Sequence, residues 1–338
     1  MAEISGYKDL VASMQPAAQK VYQPVLANEV FKPAVRVLRY HSLGLAVSSL
    51  PATTAFYAPL GFAAASSETT TLKHVTNGLE LHICMATDLS RTDNWLMDSA
   101  SSKAPGHTHA SWTVPSVPGV KTFLERLAVP VSGTRSTLAV FVRDPDRTTL
   151  EFERNDGGDD APDVFSSDMI GSMKPLDHVG IRTLAPHRRH LEFYARNFGF
   201  TRLVRFYDVD PDPLKNGSPM ITRTETDCDI NFIPNANTEP EDGIEATENL
   251  LLPGNGVIRP GILYAAFTIG DGMTAEQACE RLQANGVDAV LDTDLKKGGV
   301  ATWANFPPSA LRLLDSGPTV MARDLNGTFI RLVPQLEA

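Results

Sequence analysis

Residues 39–62 read Arg-Tyr-His41-Ser-Leu-Gly-Leu-Ala-Val-Ser-Ser-Leu-Pro-Ala-Thr-Thr-Ala-Phe-Tyr-Ala-Pro-Leu-Gly-Phe, and residues 176–200 read Leu-Asp-His178-Val-Gly-Ile-Arg-Thr-Leu-Ala-Pro-His-Arg-Arg-His-Leu-Glu-Phe-Tyr-Ala-Arg-Asn-Phe-Gly-Phe. Both are a short strand opened by histidine, a helix with proline near its start and Phe-Tyr within it, and a Gly-Phe exit. Proline suits the first helical turn and glycine the position just past the last, so Pro51 and Pro186 mark starts while Gly61 and Gly199 mark stops. The chain therefore repeats itself, and a repeat governs how the rest is read.

Two fainter copies flank these. His109-Ala-Ser-Trp-Thr-Val leads to a helix near residues 120–127, and Ile262-Leu-Tyr264-Ala-Ala-Phe-Thr-Ile leads to a helix near residues 275–284. Each then reaches an aspartate turn and a strand, at Asp144-Pro-Asp-Arg-Thr-Thr-Leu-Glu151-Phe and Asp324-Leu-Asn-Gly-Thr-Phe-Ile-Arg331-Leu. The unit openings at 41, 109, 178 and 264 are spaced by 68, 69 and 86 residues, which places an insertion in the third unit. Loops at 207–219 and 235–260 account for it, long enough to serve as lids over a site. The expected architecture is α+β: four strand–helix–three-strand units in two pairs. Residues 1–35 read as an N-terminal arm, 36–155 as a first domain, 156–173 as an acidic, Gly/Pro-bearing linker and 174–335 as a second domain.

Composition limits what such a chain does. In 338 residues, 30 Lys+Arg stand against 40 Asp+Glu, a net charge of −10. This excludes a basic footprint for nucleic acid or an anionic membrane. No apolar run reaches the roughly 18–20 residues of a membrane helix, and the N-terminus lacks a secretory pattern. Three scattered cysteines, Cys84, Cys228 and Cys279, favour neither a disulfide framework nor a thiolate zinc site. A cytoplasmic monomer or homodimer acting on a small molecule is expected.

The repeated pieces resemble the vicinal oxygen chelate superfamily, which includes glyoxalase I, bleomycin-resistance proteins and extradiol dioxygenases. The resemblance rests on His41, Phe56-Tyr57, Leu60-Gly61-Phe62, Leu79-Glu80-Leu81, His109, Asp144-Pro145-Asp146 and Leu150-Glu151-Phe152. It rests equally on the second copy at His178, Phe193-Tyr194, Phe198-Gly199-Phe200, Asp324 and Asn326-Gly327-Thr328. It implies cup-shaped sheets with helices outside. Strand side chains alternate faces, so Leu79, Leu81 and Ile83 pack outward and Glu80, His82 and Cys84 face a cup. Likewise Leu150 and Phe152 pack while Glu151 faces in, and His109, Ser111 and Thr113 oppose Ala110, Trp112 and Val114.

By this resemblance His41, Glu80, His109 and Glu151 match the four metal positions, in the His/Glu/His/Glu order of a bacterial glyoxalase I. Such a set suits a divalent ion such as Ni²⁺, Co²⁺ or Zn²⁺ with two open positions. Glu151 or Glu80 would then act as the catalytic base of a lyase or isomerase passing through an enediolate. His107, on the same predicted face, is a rival for the His109 position, and His82 is expected to line the pocket. The second half carries His178, Asn231, Tyr264 and Arg331 instead; Asn231 and Arg331, with His178, either orient substrate or fill a degenerate cup. His187 to His190 reads as a solvated helix face.

Whether cups close within or across the halves stays open, with closure within a half favoured because it keeps the four ligands together. Closure across halves groups His109, Glu151, His178 and Asn231, and separately His41, Glu80, Tyr264 and Arg331. The alternatives in function are an Fe(II)-dependent dioxygenase, ring-cleaving or acting on a 2-oxo acid, with His109, Glu151 and either His41 or His178 as ligands, and a metal-free protein that sequesters a small molecule.

Overall fold

The computed structural model describes residues 23, 32–64, 70–89, 106–135, 139–154, 165–171, 174–183, 187–207, 218–223, 228–234, 257–298, 300–303, 306–315 and 317–335. Most of the N-terminal arm, the linker and both long loops lie outside these residues.

Four strand–helix–three-strand units follow one another. The first comprises β1 (Val37–Val47), α1 (Leu50–Tyr57), β2 (Phe62–Ala64), β3 (Thr71–His74) and β4 (Glu80–Met85). The second has β5 (Gly106–Val114), α2 (Val117–Arg126), β6 (Val131–Arg135), β7 (Ala139–Arg143) and β8 (Thr149–Arg154). The third has β9 (His178–Thr183), α3 (His187–Phe198), β10 (Arg202–Tyr207), β11 (Ser218–Thr222) and β12 (Asp229–Pro234). The fourth has β13 (Gly261–Ile269), α4 (Ala275–Ala284), β14 (Ala289–Leu291), α5 (Asp292–Lys297), β15 (Val320–Arg323) and β16 (Phe329–Pro334). No described helix is long and apolar enough to cross a membrane.

Local signals act as the sequence suggests. Ser49 caps α1 by accepting from the Ala52 amide, with Pro51 in the first turn, and a short 3₁₀ turn beyond it ends at Gly61 with φ +94°. Gly199 follows α3 with φ +80°, while Pro186 lies outside the described residues. His190 departs from expectation: it is buried, against Phe232, because α3 turns it toward the sheet rather than to solvent.

The strands form two eight-stranded sheets, ordered β14-β15-β16-β13-β1-β4-β3-β2 and β10-β11-β12-β9-β5-β8-β7-β6. The first and fourth units thus share one sheet, joined by antiparallel β1 and β13, and the second and third share the other, joined by antiparallel β5 and β9. Each sheet takes strands from both halves of the sequence, and the favoured closure within a half is corrected. A local device accompanies this pairing. Gly44 lies opposite Tyr264, and Gly180 opposite His109; a Cβ at either glycine would overlap the facing ring. The absent side chains let the ring of the partner strand cross the seam.

Within each half, the units touch differently. The Tyr57 hydroxyl of α1 donates to Asp144 Oδ2 in the turn before β8, and the Tyr194 hydroxyl of α3 donates to Asp324 Oδ2 before β16, both at 3.2 Å. Each aspartate also accepts two backbone amides through Oδ1, from Asp146 and Thr148 in one case and Asn326 and Thr328 in the other. The repeated tyrosine and aspartate are clasps between sheets. The main core lies between the sheets and their helices, where Phe62 meets Trp112, and Phe267 meets both Tyr40 and Phe200.

Candidate metal centre

Alternation along the strands fixes which side chains reach each cup. Ala110, Trp112, Val114, Leu150, Phe152, Val179 and Ile181 belong to the core between the sheets, which turns His109, Glu151 and His178 to the opposite face. Ser111 of β5 lies opposite both Glu151 of β8 and His178 of β9, bringing the three groups together from three adjacent strands. His109 Nε2 and His178 Nε2 are 2.9 Å apart. Glu151 Oε2 lies 3.2 Å from the first and 3.3 Å from the second. All three side chains are buried.

Those spacings fit one ion. Metal–nitrogen and metal–oxygen bonds of roughly 2.1 Å at right angles put neighbouring donors about 3.0 Å apart. The residues supply two imidazoles and one carboxylate, the donor set of a 2-His-1-carboxylate centre. Asn231 of β12, buried beside Gly180, takes the fourth position of this cup and contributes a neutral amide.

The surroundings orient these candidate ligands. His178 Nδ1 donates to Asp177 Oδ2 at 2.8 Å, leaving Nε2 to face the cup. Lys174 bridges Asp177 and Asp229 at 3.1 and 3.5 Å and offsets part of their charge. His109 Nδ1 meets Thr108 Oγ1 at 3.0 Å. A carboxylate behind a ligating imidazole fixes its tautomer and raises its basicity. Burial works against a charged His178, yet the hydrogen bonds to Asp177 and Glu151 outweigh it and lift its pKa to about 9. Burial also works against the Glu151 carboxylate, and the two imidazoles overcome it, holding the group well below the usual carboxylate range. Asp177 and Thr108 were missed in the sequence, though an aspartate directly before His178 was a readable signal.

The other predicted ligands lie elsewhere. His41 and Glu80 belong to the first sheet, apart from the His109 and Glu151 cup. A bulge explains why His41 also fails to correspond to His109. The β1–β13 register slips between Tyr40 and Ser42, and the β5–β9 register slips between His107 and His109. One extra residue reverses every later facing, so Ser42 is the counterpart of His109 and His41 that of Thr108. By the same register His82, opposite Gly44, corresponds to Glu151, and Glu80 sits one step earlier. The bulge likewise turns His107 away from the cup, its ring nitrogen reaching the Phe329 carbonyl at 3.0 Å. His41 and Glu80 instead line a separate cleft of about 300 Å³ with Arg39 and Lys73.

The first sheet's cup is filled. Tyr264 Oη meets His82 Nδ1 at 2.9 Å and Arg331 Nη1 at 3.2 Å, and His82 Nε2 meets Glu80 Oε2 at 3.0 Å. Arg331, fully buried, also donates to Thr319 Oγ1, Asp292 Oδ2 and the Arg312 carbonyl. Trp303, Phe306 and Leu311, from the segment between α5 and β15, pack over it together with Cys84. Arg331 is thus committed to internal partners, the cup-filling option of the two the sequence left open. The long segment before β15 gave no periodic signal that it would plug a cup.

No family model and no curated protein sequence matches the chain. Its fold is shared with solved structures. Glyoxalase I from Zea mays is 16% identical, covering 88% of this chain and 92% of that one with a TM-score of 0.51. A mutant form of the same enzyme is 15% identical at TM-score 0.52, with the same coverage of 88% and 92%. A Bacillus subtilis protein proposed to be a dioxygenase is 13% identical, covering 90% of this chain and 87% of that one with a TM-score of 0.55. At these identities the likeness is one of fold: the chain shares the fold of the glyoxalase I structures and of the Bacillus subtilis protein.

Proposed function

We propose that a chain with this fold and this triad is a metal-dependent enzyme, an Fe(II)-dependent dioxygenase acting on a small molecule with two neighbouring oxygens. The observation that carries the reading is the meeting of His109 Nε2, His178 Nε2 and Glu151 Oε2 within 3.3 Å of one another. Three protein ligands with one negative charge characterise facial-triad iron sites. When bound, Fe(II) supplies open coordination positions and redox chemistry toward dioxygen. The protein's part is to hold the donors in place, to keep His178 in the required tautomer through Asp177, and to exclude bulk water by burial.

The lyase or isomerase reading drew its second carboxylate from Glu80, as ligand and as base. Glu80 is hydrogen-bonded to His82 on the other sheet, and that support is gone. The metal-free binding reading gives no role to two buried imidazoles converging on a carboxylate.

The test is oxygen uptake by protein loaded anaerobically with Fe(II) and offered catechols and 2-oxo acids. Iron-dependent oxygen consumption, abolished by His109→Ala and by Glu151→Ala, is expected. Isomerisation of a hydroxy-ketone or hemithioacetal by Ni²⁺-, Co²⁺- or Zn²⁺-loaded protein, with no oxygen uptake by the iron form, would overturn it in favour of the isomerase.

A further inference from the structure

Arg182 stands four residues beyond His178 on β9, which continues without a bulge. Val179 and Ile181 face the core, so Arg182 shares the cup face with His178. It is 5% exposed. Its Nε and Nη1 are buried, and among the described residues neither has a hydrogen-bond partner. A guanidinium keeps its charge at any working pH, and burying a charge without a counter-group costs several kcal/mol in general. The other buried arginines among the described residues are engaged within the chain, Arg331 by the Asp292 carboxylate and Arg223 by the Val37 carbonyl. Arg182 differs from them: among the described residues, no carboxylate or carbonyl engages these two nitrogens.

Room for that group exists alongside. Gly106 is opposite Arg182 across the seam, and a Cβ placed on Gly106 meets nothing within 4 Å. Asn231, beside Gly180, lies midway along the same face. Polar groups therefore run from the triad past Asn231 to Arg182. At roughly 3.3 Å per residue, the Cα atoms at the two ends are separated by about 13 Å.

We propose that Arg182 anchors a carboxylate on the substrate, so that the molecule meets the triad with its neighbouring oxygens and Arg182 with its acid group. This deepens the reading of the cup as the substrate site, and it is independent of which ion the triad holds. A guanidinium–carboxylate pair in a water-poor cavity is among the stronger polar interactions available, and it would discriminate acids from their neutral analogues.

The experiment compares wild type, Arg182→Met and Arg182→Lys, all full-length, by calorimetric binding of 3,4-dihydroxybenzoate and of catechol, which differ by the carboxylate alone. Inorganic phosphate serves as a competing oxyanion, and thermal denaturation is followed without ligand. Wild type is expected to prefer the acid by at least about tenfold. Arg182→Met is expected to lose that preference while melting no lower than wild type, since it removes an unpaired buried charge. Arg182→Lys is expected to retain part of the preference.

No preference in the wild type, whether both probes bind alike or neither binds, overturns the proposal. So does a preference that survives Arg182→Met, or displacement of the acid by phosphate at equal concentration. Should Arg182→Met fail to fold, the wild-type and lysine arms still decide. Iron content of the same samples separates the two ideas: metal bound without acid preference leaves the triad standing, and acid preference without metal leaves Arg182 standing.

Discussion

In the proposed metal centre, His178 shows how the fold prepares one side chain to act as a ligand. Its Nδ1 is committed to Asp177, its Nε2 faces His109 and Glu151, and burial shields both interactions from water. The Asp177 carboxylate is therefore expected to matter almost as much as a ligand. Asp177→Asn keeps the shape and removes the charge, and should weaken metal affinity by about 10- to 100-fold. Competition with a chromogenic chelator reads this directly; unchanged affinity would show that the carboxylate only neutralises Lys174. Glu80 and His82 share a similar contact at 3.0 Å, but their neighbours are Tyr264 and Arg331, whose guanidinium occupies the interior with a permanent charge.

Among the elements, β1, β5, β9 and β13 decide where each side chain points. Period-two alternation assigned the faces of β4, β8 and β5 from His109 onward correctly from sequence, because Leu79, Leu81, Trp112, Leu150 and Phe152 supply an unambiguous apolar set. The bulges at His41 and Thr108 were not legible. An extra residue leaves no mark on composition, and it moved His107 off the face alternation gave it and His41 off the position the resemblance gave it. Gly180 is the element-scale feature most exposed to test. Its Cβ would overlap the His109 ring, so Gly180→Ala should displace that ligand, lower metal affinity sharply and destabilise the fold by about 1–3 kcal/mol through overpacking. Chelator competition and urea unfolding measure the two effects. Full metal affinity in Gly180→Ala would mean the seam yields without moving His109.

The clasps between helix and turn carry a pH dependence. Burial, reinforced by the Asp146 charge, raises Asp144 to about 7 despite its amide and Tyr57 hydrogen bonds. An unfolded aspartate titrates near 3.9, so between about pH 4 and 7 the folded chain holds the extra proton. The cost of ionising Asp144 is thus absent below that window, grows as pH rises through it, and is constant above. Wild type should gain stability relative to Asp144→Asn on acidification from pH 7.5 to 5, read by urea unfolding. A difference that does not change between these pH values would contradict it.

For the whole molecule, the order of units along the chain was legible and their closure was not. Four units, their glycine stops and their aspartate turns all stand in the sequence. Which unit joins which is a long-range choice, made by seams such as Gly44 against Tyr264 that become meaningful only once the strands are paired. Closure across the halves means that residues 1–164 contain His109 and Glu151 without His178. That half alone should bind no stoichiometric metal, whereas both halves expressed together should recover it. Metal binding by the first half alone would restore the closure set aside here.

Which residues hold the ion is decided most directly by metal titration of chelator-stripped, full-length protein. Wild type and the His41→Ala/Glu80→Ala double variant are expected to take up one equivalent of Fe(II) or Co²⁺ with similar affinity, while His178→Ala loses tight uptake. Tight uptake that survives in His178→Ala and disappears in the double variant would contradict the assignment.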